Sequence, residues 1–247
     1  MDWTDTAIVL HVRPHGETNA VLEAFTREHG RHPGLVRGGR SRRVRPALQT
    51  GNLLTVEWRA RLQEHLGFFT LELAEPYAAR ALDDRLALSG LGAMATLCSL
   101  LAERDPHPAL FDMAILVLDH LDDAEVWPEL MVRWELRLLI ELGLGLDLER
   151  CAATGGTENL IYVSPKSGCA VSAGAGEPYK DKLLKLPAFL RSSKRLPASP
   201  DDIADGFALT GHFLEHHVYA PRDAPMPPAR QDFLRLLDRR HAGRAGR

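Results

Sequence analysis

Cysteine is scarce in this 247-residue chain, which has only Cys98, Cys151 and Cys169. So sparse and odd a set cannot build a disulfide framework, which points to a reducing compartment. Long apolar runs are missing too. Every leucine-rich stretch is interrupted by charge, so no segment reads as a membrane span. The start, Met1-Asp2-Trp3-Thr4-Asp5, is acidic and lacks the basic head of a secretory leader. The expectation is a cytoplasmic protein. There is no internal repeat and no long low-complexity tract. With 45% hydrophobic and 26% charged residues, the chain can bury a core in one large domain or two smaller ones.

Negative charge is absent from one place where it would be expected. Between Arg31 and Arg45 the sequence holds six arginines (31, 37, 40, 42, 43 and 45) and no acid. The whole chain is at −3, so the remainder carries −9. Positive charge gathered on an acidic molecule is the footprint of a phosphate-binding surface. Arginine's planar fork suits phosphate and base stacking better than lysine's point charge. Gly38 and Gly39 make the run read as a flexible loop that drapes along a backbone. Arg59 and Arg61 are lesser candidates for the same surface, as is Arg31 at its start.

The first eighty residues read as about five short strands. Thr6–Arg13 places Ile8, Leu10 and Val12 on one face, and Ala20–Thr26 follows a turn at Gly16. A third strand falls near Gly34–Arg37. Leu54, Val56 and Trp58 alternate with polar residues, as do Phe69, Leu71 and Leu73. Five strands in this space suggest a small closed barrel of the OB type, with the arginine run between the third and fourth strands. Trp58 and Phe69 are candidates for stacking on bases, although strand aromatics more often fill cores.

Past Pro76 the pattern turns helical, over 83–103, 106–122 and 128–142, the last with Leu130, Trp134, Leu138 and Ile140 inward. Ser199-Pro200-Asp201-Asp202 starts a helix that runs to about His217. Another helix covers Pro228–Arg240, and a frayed tail begins at Ala242. The expected class is α+β, with a barrel domain over 1–80 and a helical domain over 81–247.

Three motifs bear on chemistry. Gly34 to Ser41 has P-loop spacing with arginine for lysine, but no helix follows to complete a phosphate cradle. His212-Phe-Leu-Glu215-His216 matches an inverted zinc-peptidase pattern, making a metallohydrolase the alternative reading. Cys151 and Cys169 flank a knuckle-like loop but supply only two of the four ligands a structural zinc needs.

Several stretches together resemble the RecO family of recombination mediators. They are Ile8 to Thr18 with its Gly-Glu-Thr, Phe25-Thr-Arg-Glu-His-Gly-Arg31, Leu35 to Arg43, Trp134 to Leu139, the Cys151 element, and Tyr162-Val-Ser-Pro165. The resemblance implies an N-terminal OB-fold, a helical domain, and a zinc-finger-like element over about 147–176. It also implies binding to single- and double-stranded DNA, annealing, and help in loading recombinase without nucleotide hydrolysis. The implied partners are RecR and the tail of the single-stranded DNA-binding protein, and the implied location is the nucleoid. Many family members carry two Cys-x-x-Cys pairs. The matching positions here are Cys151, Thr154, Ser172 and Ala175, so three of four ligands are missing and no metal or other cofactor is expected. The element is then held by packing, through Ile161, Tyr162 and Val163.

Overall fold

A computed structural model describes residues 1–62, 64–191 and 198–245, with the side chains of 244 and 245 left aside. The chain forms two compact units, Met1–Asp123 with Pro227–Leu237, and Ala124–Met226 with the residues from Asp238 onward.

The first unit is built on a closed barrel of β1 (Asp2–His15), β2 (Asn19–Thr26), β3 (Gly30–Val36), β4 (Leu53–Arg59) and β5 (Phe68–Glu75). The strand order is β1-β2-β3-β5-β4. β1 pairs antiparallel with both β2 and β4, and the parallel β3–β5 pair closes the ring. β1 is longer than its apolar pattern suggests because it serves two neighbours along its length. Ala7 and Val9 point into the barrel core with Leu22, Leu54, Val56 and Trp58. Ile8 and Leu10 face the other way and are equally buried, because helix α2 (Arg85–Cys98) packs there. A bulge between Val9 and His11 then breaks the alternation. Val12 is therefore exposed, contrary to its expected place beside Ile8 and Leu10.

β3 begins at Gly30 rather than near Gly34, because the turn after Thr26 returns directly onto β2. Along β5 the inward alternation holds for Phe69 but fades, and Leu73 is exposed. Trp58 and Phe69 line the barrel interior, and the Trp58 indole donates to the Leu66 carbonyl at 3.0 Å. These two rings are core, not stacking surface.

One end of the barrel is closed by rings. Trp3 stacks on His29 with centroids 4.0 Å apart, and His32 meets Trp58 edge-on at 4.8 Å. His32 is 2% exposed, and burial pushes its pKa from 6.5 down to about 4. The unfolded chain takes up this proton below pH 6.5, whereas the folded chain waits until about 4. Stability is therefore expected to fall as pH drops through that window. Urea midpoints measured against pH should fall less steeply for His32→Gln, and equal slopes would show that another group governs the loss.

The rest of this unit includes α1 (Tyr77–Arg80), α2 and α3 (Pro108–Asp119). Asp84 caps α2 by accepting from the Leu86 amide at 2.8 Å.

In the second unit, α4 (Trp127–Glu141) packs on α6 (Pro200–Phe213). Their close approach falls at Gly206, where an added Cβ would lie 2.9 Å from Val132. α6 opens at the Ser199 cap as expected, and the structure adds a reciprocal bond from Asp202 that completes a capping box. Its α-helical part ends at Phe213, and Leu214–Tyr219 continues as a π-helix. Along α4 the inward face is Trp127, Met131, Trp134 and Leu138, while Ile140 is exposed, against expectation. A small sheet of β6 (Leu160–Val163), β7 (Ala170–Ser172) and β8 (Leu184–Lys185) has the order β7-β6-β8, and the one-turn α5 (Ala173–Gly176) follows β7. Leu160, Val163 and Ala170 supply its buried contacts, whereas Ile161 is exposed and Tyr162 half-buried. The last helix, α7 (Pro228–Ala245), runs through most of the tail expected to fray, and 246 and 247 lie outside the described residues.

Candidate nucleic-acid interface

The arginine run is not a slack loop. Gly38 turns the chain with φ +64°, and Gly39 passes so close to Ala20 that an added Cβ would lie 2.8 Å from its methyl. The two glycines thus serve tight geometry rather than flexibility. The Asn19 side chain accepts from the Gly38 amide at 3.0 Å, and the Ser41 carbonyl accepts from Arg45 at 3.0 Å. Val44, Ala47 and Leu48, at helical spacing, then lie on the barrel core, with Leu48 only 6% exposed. Seating that apolar side turns Arg42, Arg43 and Arg45 to solvent. Among the described residues, none of these three side chains has an ion-pair or hydrogen-bond partner.

Asn52 fixes the far end of the turn. Its amide donates to the Pro46 and Ala47 carbonyls at 3.0 and 3.2 Å, and its oxygen accepts the Ala78 amide of α1 at 2.9 Å. No sequence pattern marks this residue, since an isolated asparagine before a strand reads as turn punctuation. It is 1% exposed, and three of its hydrogen bonds join the basic turn to α1.

The other expected contact residues fall in different settings. Arg31 lies apart from the exposed cluster. Its guanidinium pairs with Glu23, donates to the Leu101 carbonyl at 3.0 Å and lies 3.8 Å from Glu103. Arg40 is exposed, but it donates to the Gly16 and Glu17 carbonyls, both at 2.9 Å, and so pins the β1–β2 turn. That gives the Gly-Glu-Thr stretch a structural meaning. Arg37 sits over the Phe68 ring, 4.4 Å from its centroid. Arg59 pairs with Glu57 at 2.5 Å, and Arg61 is exposed. Beside the basic turn lies an apolar groove of about 770 Å³, lined by Leu73, Leu82, Leu88 and Leu91 and rimmed by Arg42 and Arg45.

The two metal motifs resolve differently. His212 and His216 stack face to face with centroids 4.2 Å apart, and His216 Nδ1 lies against the His212 carbonyl at 3.0 Å. Stacked rings do not converge their lone pairs on one point. Among the described residues no three His, Cys, Asp or Glu side chains cluster to hold a metal. The geometry therefore does not support the metallohydrolase alternative. In the knuckle, Ala175 offers no donor, and Thr154 and Ser172 offer hydroxyls where thiolates would be needed, so the residues do not fit zinc. Cys151 instead accepts the Ser172 amide at 3.3 Å, with the Ser172 hydroxyl 3.5 Å away. Hydrogen bonds from Thr154 and then Ser172 hold its pKa down to about 6.

The barrel's strand order makes this an OB-fold protein, joined in α+β fashion to a helical part with a ligand-poor knuckle. Comparison with known proteins narrows the class. The family model for the recombination protein O N terminal matches residues 1–77, and that for its C terminal matches 82–224. The "DNA repair protein RecO" of Mesorhizobium japonicum is 53% identical over 244 residues, covering 99% of this chain and 96% of the relative. That of Methylorubrum populi is 54% identical over 242 residues, covering 96% and 98%. A Rhodopseudomonas palustris relative of the same name is 50% identical, covering 97% of each chain. The chain belongs to the RecO family of DNA repair proteins.

Proposed function

We propose that this protein is a non-enzymatic DNA-binding mediator that anneals complementary strands and helps load recombinase. The observation that carries the reading is the set of three guanidiniums, Arg42, Arg43 and Arg45, that have no partner among the described residues, on a turn anchored by Leu48 and Asn52. Fixed cations of this kind neutralise phosphates on two strands at once and release condensed counterions, which lowers the repulsion that opposes pairing. Arg37, Arg40, Arg59 and Arg61 extend the same surface. Arg31 is given a supporting role, since its guanidinium is engaged by Glu23 and Leu101. Both single- and double-stranded DNA would bind, in the nucleoid of the cytoplasm.

The proposed partners are RecR and the single-stranded DNA-binding protein. An acidic tail ending in apolar side chains suits the groove beside Leu82 and Leu88, where Arg42 and Arg45 supply charge complementarity. Those arginines would then be shared between tail and DNA.

The test is annealing of complementary oligonucleotides in buffer with EDTA and without nucleotide. Wild-type protein should accelerate it, and an acidic, apolar-ended peptide should slow it. A strict requirement for ATP or for added metal would refute the mechanism.

A further inference from the structure

Phe68 is the large aromatic on the outer face of the barrel strands that is most at odds with burial, being 42% exposed at the start of β5. A lone exposed ring needs no explanation. This one is not alone. Arg37, two residues beyond its partner Leu35 on β3, holds its guanidinium carbon over the ring at 4.4 Å. On the other side, Arg59 of β4 is in register with Phe68, and Arg61 follows it at the surface.

The ring's direction is set by its neighbours. Gly67 adopts φ +64°, and an added Cβ there would meet the Trp58 indole at 2.4 Å, so only glycine lets the chain enter β5 at this angle. Phe69 is then driven inward and Phe68 outward by the pleat. The charges facing the ring are mixed. Glu57 is taken up by Arg59, and Asp2 lies beyond Arg59 in register. Arg37 and Arg61 have no carboxylate partner among the described residues, and Arg37 is the one seated on the ring.

We propose that Phe68 and Arg37 form a stacking subsite for an unpaired nucleobase, which gives the barrel a contact available to single strands and not to duplex. The inference rests on the DNA-binding reading above and adds to it a contact with the base rather than the phosphate. An aromatic ring carrying a guanidinium presents two flat faces to a base. Bases stack on both aromatic rings and arginine planes without sequence preference. In a duplex the bases are already stacked on each other, so the subsite engages only strands that are open. An annealing protein would use it to hold one strand with its bases spread before the second strand arrives.

The test compares a dT oligonucleotide, an abasic strand of equal length and a duplex, each titrated by fluorescence anisotropy against wild type, Phe68→Leu and Phe68→Trp. Phe68→Leu keeps apolar bulk and loses the π face. It should bind dT about 5- to 150-fold more weakly, the loss expected for one stacked base, and the abasic strand and duplex as wild type does. Phe68→Trp should retain the preference for dT over the abasic strand and show added fluorescence quenching on dT. Melting curves establish that each variant is folded before titration. If wild type does not discriminate dT from the abasic strand, or Phe68→Leu binds dT normally, the subsite is wrong while the phosphate-binding reading stands. If wild type binds none of the three, both are wrong.

Discussion

Gly30→Ala is expected to lower the melting temperature of this protein by roughly 6 °C or more. Two separate penalties meet at this position. The backbone holds φ at +67°, which alanine adopts at a cost of about 1 kcal/mol or more. An ideal Cβ would also lie 2.0 Å from the Asp105 carbonyl oxygen and 2.5 Å from its carbon. Those are main-chain atoms and cannot swing aside. The segment is held where it is, since the Arg104 amide donates to the Arg31 carbonyl at 2.9 Å and Arg31 Nε donates to Leu101. Overpacking against fixed backbone costs a further 1–3 kcal/mol or so. The total of about 3 kcal/mol, at roughly 2–4 °C per kcal/mol for a domain of this size, gives the stated shift. Gly16→Ala is the control. It has φ +61° but nothing within 4 Å of the added Cβ, so it should show the conformational penalty alone. Equal melting temperatures for the two variants would mean that the 101–105 segment yields, and that the glycine of the Thr-Arg-Glu-His-Gly stretch serves only its turn.

The same position shows where sequence reasoning reached and where it stopped. A period of two identified β4 because one face of that strand lines the barrel and the other meets water. The same rule misread β1, where Ile8 and Leu10 are covered by α2 and a bulge turns Val12 outward. Charge clustering located the basic turn, because six like charges without an acid stand out in any window. It could not say which arginines are spoken for. Arg31's partners are Glu23, eight residues before it, and Leu101, 70 residues after it. Arg40 is pinned to carbonyls across the β1–β2 turn, and a carbonyl leaves no trace in a sequence. Asn52 carries no pattern at all. Phe68 was within reach, since placing Phe69 inward puts its neighbour outward on the pleat. In the knuckle, counting ligands was enough to predict a poor fit to zinc. Which apolar residues hold it depends on a three-stranded sheet order, and that order buries Val163 and exposes Ile161.

Changing Arg42, Arg43 and Arg45 together to alanine is expected to weaken DNA binding on all sequences alike and to leave folding almost untouched. Arg40 is better spared, because its bonds to Gly16 and Glu17 would make a loss of binding ambiguous between charge and turn geometry. The chosen three have no ion-pair partner among the described residues and point away from the Val44–Ala47–Leu48 face that anchors the turn. Removing exposed side chains of this kind changes stability by about 0.5 kcal/mol or less. Relieving their mutual repulsion, if anything, favours the folded turn. The binding loss has a distinct signature. Each phosphate contact contributes about 0.7 to 0.9 to the slope of log affinity against log salt, so losing three should flatten it by roughly 2 to 3. The deficit should therefore be greatest at low salt and shrink as salt rises. Replacing the three with lysine keeps the charge and should preserve most of the slope, while affinity falls wherever bidentate geometry was used. An alanine variant shown by melting to be folded, yet binding with the wild-type slope, would place the phosphate contacts elsewhere on the barrel. Arg37, Arg59 and Arg61 would then be the next set to remove. A lysine variant as weak as the alanine one would mean that fork geometry, rather than net charge, governs the contact.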